Sequence, residues 1–214
     1  MGVDDRGPSE FERLYGPWAG LAPAEVAALM HGYPGVWWVA GGWALEAFNG
    51  VPRHHEDTDV GVLRADLPLL RRHLARRFDV WAAARGALRP LLPEHDPEPA
   101  ADDVLPRHCS QVWIRRAATE PWELDILLSP GTPAEWVYRR DESITMPLSE
   151  AIWEREAIPF LQPEIQLLYK AKGLRPKDDV DFRNTVTHLD HRRRTWLSVA
   201  LARTLPGHPW LADL

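Results

Sequence analysis

The chain of 214 residues lacks the features that mark several common classes of protein. It has one cysteine, Cys109, so no disulfide can form within the chain and the reducing cytoplasm is the expected compartment. The longest largely apolar stretch, residues 35–48, is interrupted by two glycines and is shorter than the ~18–20 residues that cross a bilayer. The first residues are acidic and contain no signal-peptide core. We therefore expect no membrane partner.

Positive charge is also scarce. Lys and Arg total 25 against 31 Asp and Glu, which gives a formal net charge of -6. This balance argues against a nucleic-acid binder that relies on overall positive charge, although it leaves a local basic patch open. Apolar residues make up 45% of the chain and charged residues 26%, which are the proportions of an ordinary globular protein. The composition predicts one domain or a compact pair and leaves the oligomeric state open.

Hydrophobic periodicity divides the chain into a front with strands and a helical back. Proline-rich residues 85–108 predict a long loop or lid, and residues 1–22 are expected to wrap the surface. The predicted fold is α/β (α+β), a mixed sheet with flanking helices in residues 1–150 and a helical segment in 151–214. The predicted strands are 35–40, 58–63, 78–83, 111–116 and 122–128, with a further strand or hairpin at 138–146. The predicted helices are 23–31, 43–49, 67–78, 163–173, 177–189 and 193–205, and Asp66 is the expected N-cap of the helix 67–78.

Three acidic residues stand out because of their places on these strands. Asp57 and Asp59 begin one strand and share a face, since side chains two apart on a strand point the same way, and Asp125 lies within another. Two carboxylates held so close repel each other unless they are protonated, solvated or bound to a cation. Magnesium prefers such oxygen-rich sites. The alternative is that the aspartates face solvent on an edge strand, or that Asp125 pairs with an arginine.

The glycines Gly41 and Gly42 follow a predicted strand and open a helix. In this geometry backbone N–H groups and the helix N-terminus can hold phosphate oxygens, although tight turns use the same residues. Together, a glycine turn and a pair of aspartates predict a phosphate-binding turn that faces a metal site.

The runs GGWAL at 41–45 and RHHEDTDV at 53–60 resemble the signature of polymerase-beta-like nucleotidyltransferases. They are most similar to the enzymes that adenylylate aminoglycosides or lincosamides. The resemblance covers roughly residues 36–63, with a weaker correspondence at 122–128. It departs from the family pattern at Glu46, where Asp is frequent, and at Pro52, where Thr is usual.

The resemblance implies a nucleotidyltransferase-type mixed sheet and a helical subdomain, 151–214, that closes the cleft. It also implies transfer of a nucleoside monophosphate from a nucleoside triphosphate to a hydroxyl of a small acceptor, with an aminoglycoside or lincosamide antibiotic as a candidate. Asp57 and Asp59 would hold two Mg²⁺ ions, and Asp125 would complete the metal site or act as base.

Several further residues are candidate contacts to the nucleotide. Gly41 and Gly42 are candidates through the glycine turn, and Arg53 and His55 because they precede the aspartate pair, unless they lie in a surface loop. Lys170 and Lys172 lie in a basic cluster at a predicted helix end, where capping of the helix is the alternative role.

Other parts of the chain leave their roles open. The acidic loop 94–103 is either a solvated lid or an attraction for a polycationic acceptor. Trp113, Trp122 and Trp136 are expected mostly to pack the sheet. Two other functions also fit: a toxin-type nucleotidyltransferase that modifies RNA or protein, and a catalytically silent nucleotide-binding module.

Overall fold

The computed structural model describes residues 8–92 and 105–214. The α-helices in these ranges are α1 (Pro8–Tyr15), α2 (Pro23–Met30), α3 (Gly41–Asn49), α4 (Leu67–Leu74), α5 (Leu148–Ala151), α6 (Pro163–Ala171), α7 (Pro176–Val186) and α8 (His191–Thr204). The strands are β1 (Trp37–Val39), β2 (Asp59–Leu63), β3 (Asp79–Ala84), β4 (Ala87–Pro90), β5 (Gln111–Arg115), β6 (Leu124–Ser129), β7 (Glu135–Val137), β8 (Thr145–Pro147), β9 (Ile152–Arg155) and β10 (Ile158–Leu161).

Eight of these strands form one mixed sheet in the order β4-β3-β5-β6-β2-β1-β10-β9. Strand β2 runs parallel to β6, and β1 runs parallel to β10, whereas the other neighbours are antiparallel. Strands β7 and β8 form a separate hairpin. The predicted α/β (α+β) class with a mixed sheet is confirmed.

The alternation of side chains along β2 explains how the sheet separates its core from its cleft. Val60 and Val62 are fully buried in a cluster with α2 and α4, and burial of each such side chain contributes about 1.5–3 kcal/mol. Asp59 and Gly61 point to the opposite face, where a Cβ on Gly61 would overlap the Trp38 ring. That face packs against α6, α7 and α8 and leaves the carboxylates near the start of β2 and β6 in a cleft.

Four expectations about local structure were wrong. The predicted loop 85–108 begins with strand β4, because Arg85 and Gly86 both have positive φ and form a two-residue hairpin turn. Residues 152–161 are strands rather than helix, joined through Glu156 and Ala157, which also have positive φ. The helical segment therefore begins at Pro163.

Residues 1–22 do more than wrap the surface, because α1 lies within them. Trp18 also pairs with Trp122 beside the sheet, and the Ala19 N–H donates to the Trp122 carbonyl at 2.8 Å. Finally, Asp66 precedes α4 but makes no side-chain capping bond. No helix in the described ranges is long and apolar enough to span a bilayer.

Candidate active site

Two carboxylates meet where the parallel strands β2 and β6 begin. Asp59 is the first residue of β2 and Asp125 the second residue of β6, and the register makes them direct neighbours. The Asp125 N–H donates to the Thr58 carbonyl at 3.0 Å, which fixes this register at its start. Since paired residues on neighbouring strands share a face, both side chains point into the cleft.

The surroundings of these carboxylates disfavour their ionised forms. Burial, followed by the charge of Asp57, raises the pKa of Asp59 to about 7. Burial, then Asp59 and Asp57, raises the pKa of Asp125 well above its usual value. The Asp125 Oδ1 atom is buried and has no hydrogen-bond partner among the residues that the structure describes. A cation or a proton donor in the cleft would satisfy this oxygen.

Asp57 lies just before β2 and is exposed. In residues 8–92 and 105–214, no three His, Cys, Asp or Glu side chains are grouped as a ready metal site. The donor chemistry nevertheless fits magnesium, because the carboxylates of Asp59 and Asp125 are adjacent and one buried oxygen is unpartnered. The structure thus brings Asp59 and Asp125 together and leaves Asp57 at the rim.

The glycine turn abuts these acids, and each glycine is needed for a close approach. Gly41 has φ +65, and a Cβ at this position would clash with the Asp59 carboxylate. A Cβ on Gly42 would clash with the Arg53 guanidinium. The Gly41 N–H donates to Gln166 Oε1 at 2.8 Å, so the amide at the start of α3 has a protein partner.

Arg53 and His55 lie beside Gly42 and are held by carboxylates. The Arg53 guanidinium donates to both oxygens of Asp181, at 3.0 and 3.2 Å. His55 Nε2 lies 2.7 Å from Glu46 Oε2, and its ring stacks on Trp43 at 3.8 Å between centroids. Burial lowers the pKa of His55. These contacts order the loop that precedes the aspartates.

The basic cluster after α6 is largely paired with acids of α7. The Lys170 ammonium is buried and lies 3.0 Å from Asp178 and 2.8 Å from Asp181. Arg175 donates to Asp178 at 2.8 Å. Lys172 is exposed at the rim of the cleft. Of the two predicted lysines, the structure therefore gives Lys170 a buried ion pair and leaves Lys172 at the surface.

The cleft consists of two cavities that share Asp59 and Arg175 in their walls. The larger has a volume of about 1090 Å³ and contains Asp57 and Asp125. The smaller has a volume of about 560 Å³ and contains Gly41.

The wall of the smaller cavity is rich in cations. Arg139, Arg140, Lys170, Lys172 and Arg175 line it.

Some lining residues carried no signal in the sequence. Arg139 and Arg140 follow the β7 strand without any motif, and Gln166 lies within a predicted helix. The contact of Trp18 with Trp122 beside the sheet was also not predicted, because a proline- and glycine-rich segment indicates no fixed contact. The whole of the acidic loop 94–103 lies outside the described residues.

Comparisons with known proteins agree with this architecture. No protein-family model matches the chain, and no curated protein matches its sequence. The crystal structure of ANT(2'')-Ia in complex with adenylyl-2''-tobramycin is similar, with a TM-score of 0.51 and 15% identity over 84% of this chain and 95% of that chain. The solution structure of the antibiotic-resistance factor ANT(2'')-Ia has a TM-score of 0.50 and 14% identity over 84% and 87% of the two chains.

Lincomycin-bound lincosamide antibiotic adenylyltransferase LnuA has a TM-score of 0.48 and 15% identity, over 78% of this chain and 95% of that chain. The similarity to ANT(2'')-Ia extends over most of both chains, so it concerns the whole architecture rather than a single motif. The predicted resemblance is therefore confirmed at the level of the fold: this chain has a nucleotidyltransferase fold.

Proposed function

We propose that this chain is a magnesium-dependent nucleotidyltransferase that moves a nucleoside monophosphate from a nucleoside triphosphate to a hydroxyl of a small molecule. The observation that carries the proposal is the pairing of Asp59 with Asp125 in a cleft between two cavities. The fold supports it, because the similar ANT(2'')-Ia structure is a complex with adenylyl-2''-tobramycin.

The two cavities suit the two substrates of such a reaction. The smaller one offers Arg139, Arg140, Lys172 and Arg175, and a triphosphate needs cations of this kind around its oxygens. We assign it to the nucleotide and retain Gly41, which lines this cavity, and the adjacent Gly42 as candidate contacts. The larger cavity, which contains Asp125, is assigned to the acceptor.

We assign Asp125 the role of proton acceptor, and a bound cation would keep its carboxylate ionised despite its raised pKa. In the proposed step, the acceptor hydroxyl gives its proton to the Asp125 carboxylate, and its oxygen forms a bond to the α-phosphorus. The bond between that phosphorus and the oxygen leading to the β-phosphate breaks, and pyrophosphate leaves with the electron pair. Asp57, Asp59 and Asp125 would hold Mg²⁺. When bound there, magnesium neutralises charge on the phosphates and polarises the reacting group.

The helices after the sheet complete the nucleotide side. Arg175 and Lys172 lie at the α6–α7 connection, and the ion pairs of Lys170 with Asp178 and Asp181 fix that connection. We propose that the C-terminal helices, within the predicted unit 151–214, close the cleft over the triphosphate. Lys170 is then a positioning residue, and Arg53 and His55 order the aspartate loop. The single cysteine, which is buried, is compatible with a cytoplasmic location.

The test is incubation with labelled ATP, GTP, CTP or UTP, magnesium, and a panel of lincosamides and aminoglycosides, with pyrophosphate release as the readout. The parent is compared with Asp59→Asn and Asp125→Asn, and with Asp79→Asn as the matched control. Asp79 is an exposed aspartate that begins β3 in the same sheet. We expect release from the parent and the control only.

Each other outcome identifies an alternative. Nucleotide binding without turnover on any acceptor would indicate the silent module. Label transferred to RNA or protein, with none on small molecules, would indicate a toxin-type enzyme. Equal turnover by the parent and Asp125→Asn would contradict the assigned proton acceptor.

A further inference from the structure

The larger cavity has one wall that the transfer reaction does not use. This wall is formed by side chains of the N-terminal segment and of β5, namely Phe11, Tyr15, Trp18 and Trp113. Small side chains of Ala83 and Ala84 on β3 continue it. This wall of the cavity is therefore aromatic and apolar.

The rings of this wall are held in fixed mutual positions. Trp18 meets Trp113 edge to face at 5.1 Å between centroids, and Tyr15 meets Trp113 at 6.1 Å and 90°. Phe11 lies 5.0 Å from Tyr15. The Tyr15 hydroxyl donates to the Gly86 carbonyl at 2.8 Å, which ties α1 to the β3–β4 turn. Such edge-to-face geometry is favourable and leaves ring faces in a defined orientation.

The wall lies next to the proposed chemistry. Trp113 is the register neighbour of Asp125 across the β5–β6 pair, so both side chains are on the cleft face of the sheet. Trp113 is itself buried, whereas Phe11, Tyr15 and Trp18 keep part of their surface exposed. A molecule that presents a hydroxyl to Asp125 would therefore lie beside Trp113, in the same cavity as these partly exposed rings.

The charges of the cavity do not favour a polycation over this wall. Asp57, Asp59 and Asp125 belong to the proposed reaction centre, and Glu56 pairs with Lys177 at 3.2 Å. Arg85 and Arg175 add positive charge to the lining. A polycationic acceptor needs several carboxylates around it. Of the five carboxylates among the described lining residues, this leaves only Glu12 outside the reaction centre and that ion pair.

We infer that the N-terminal aromatic wall is an acceptor subsite that binds the apolar or aromatic face of a hydroxylated glycoside-like molecule. This inference rests on the proposed function, because it specifies the acceptor of that same reaction. The cavity volume of about 1090 Å³ is large enough to hold a drug-sized ligand in addition to the reacting hydroxyl.

The test compares two probes that differ only in the aglycone, phenyl β-D-glucoside and methyl β-D-glucoside, by calorimetric titration of the full chain. We expect the phenyl glucoside to bind about tenfold more tightly, because its ring covers the exposed aromatic faces. Trp18→Leu and Phe11→Leu keep apolar volume and lose the flat ring, and each should reduce this ratio to roughly threefold or less. Trp153→Leu is the matched control, since Trp153 lies on the distant edge strand β9 and should leave the ratio unchanged.

Two results would overturn the inference. One is equal or undetectable binding of the two glucosides to the parent. The other is a tobramycin affinity that exceeds that of the phenyl glucoside and is unchanged in Trp18→Leu. Pyrophosphate release is measured on the same variants, so the two proposals can fail separately. Turnover without an aryl preference contradicts the subsite alone, whereas an aryl preference without nucleotide turnover contradicts the proposed reaction and leaves a binding site.

Discussion

Replacing Asp59 by Asn should stabilise the metal-free protein, and the gain should increase with pH. Burial and Asp57 raise the pKa of Asp59 from 3.8 to about 7, so the folded state disfavours the ionised carboxylate. A carboxyl group whose pKa is higher in the folded than in the unfolded state contributes its full stability at pH values below the unfolded-state pKa. This contribution is lost as the pH rises through the folded-state pKa. Asn cannot ionise and therefore escapes this loss.

The magnitude follows from the shift. A shift of about three pKa units, at 1.36 kcal/mol each, predicts that the free energy of unfolding of Asp59→Asn exceeds that of the parent by at most about 4 kcal/mol at pH 8. At pH 5 the predicted difference is about 2 kcal/mol. Solvent that reaches this partly exposed side chain reduces both values. For a chain of this length, each 1 kcal/mol shifts the melting temperature by about 2–4 °C.

The assay is urea unfolding of the parent and Asp59→Asn in EDTA at pH 5 and pH 8. Asp79→Asn controls for the loss of one negative charge in the same sheet. Magnesium should then stabilise the parent at pH 8 more than Asp59→Asn, because a bound cation favours ionised carboxylates. An Asn variant that is less stable than the parent at pH 8, or whose advantage shrinks as pH rises, would refute the reasoning.

Three further predictions concern the surroundings of the paired acids. Asp181→Ala should lower the free energy of unfolding by about 3–5 kcal/mol in urea titrations, because it leaves the half-buried Arg53 without its carboxylate partner and the buried Lys170 with Asp178 alone. Arg192→Ala, which breaks an exposed pair, should cost less than about 1 kcal/mol. Gly41→Ala should lower both the melting temperature and turnover, because a Cβ at this position clashes with the Asp59 carboxylate. Gly32 has a similar positive φ but open space around it, so Gly32→Ala should lower the free energy of unfolding by only about 1–2 kcal/mol and leave turnover unchanged. Arg139→Ala should raise the KM for the nucleotide and leave the KM for the acceptor unchanged in steady-state assays, since its side chain lines only the smaller cavity.

Local patterns predicted the centre of the sheet and the order of elements around it. The short apolar run before Gly41 is β1, and the run around Val60 and Val62 is β2; nearly every residue of both strands is buried. The three long C-terminal helices were also predicted, since their leucines and other apolar residues repeat at helical spacing. The adjacency of Asp125 to Asp59 follows from strand pairing, which the sequence suggested only through the resemblance.

The missed parts depend on contacts between distant residues. Hairpin turns at Arg85 and Glu156 use non-glycine residues with positive φ, so no glycine or asparagine signal marks both turn positions. The pairing of Lys170 with Asp178 and Asp181 cannot be inferred from a basic run alone, because the acids lie on the next helix. The aromatic wall joins α1 to β5, and no periodicity connects segments so far apart in the chain.

The bidentate bond between Arg53 and Asp181 joins parts of the chain that are synthesised far apart in time. A nascent chain that ends before α7 can form β1 and β2, yet it lacks the carboxylate that orients Arg53 next to the glycine turn. The loop before the acids therefore acquires its final shape only late in folding, after this long-range closure. We expect a truncated product to keep much of the sheet and to lack the ordered loop beside the glycine turn.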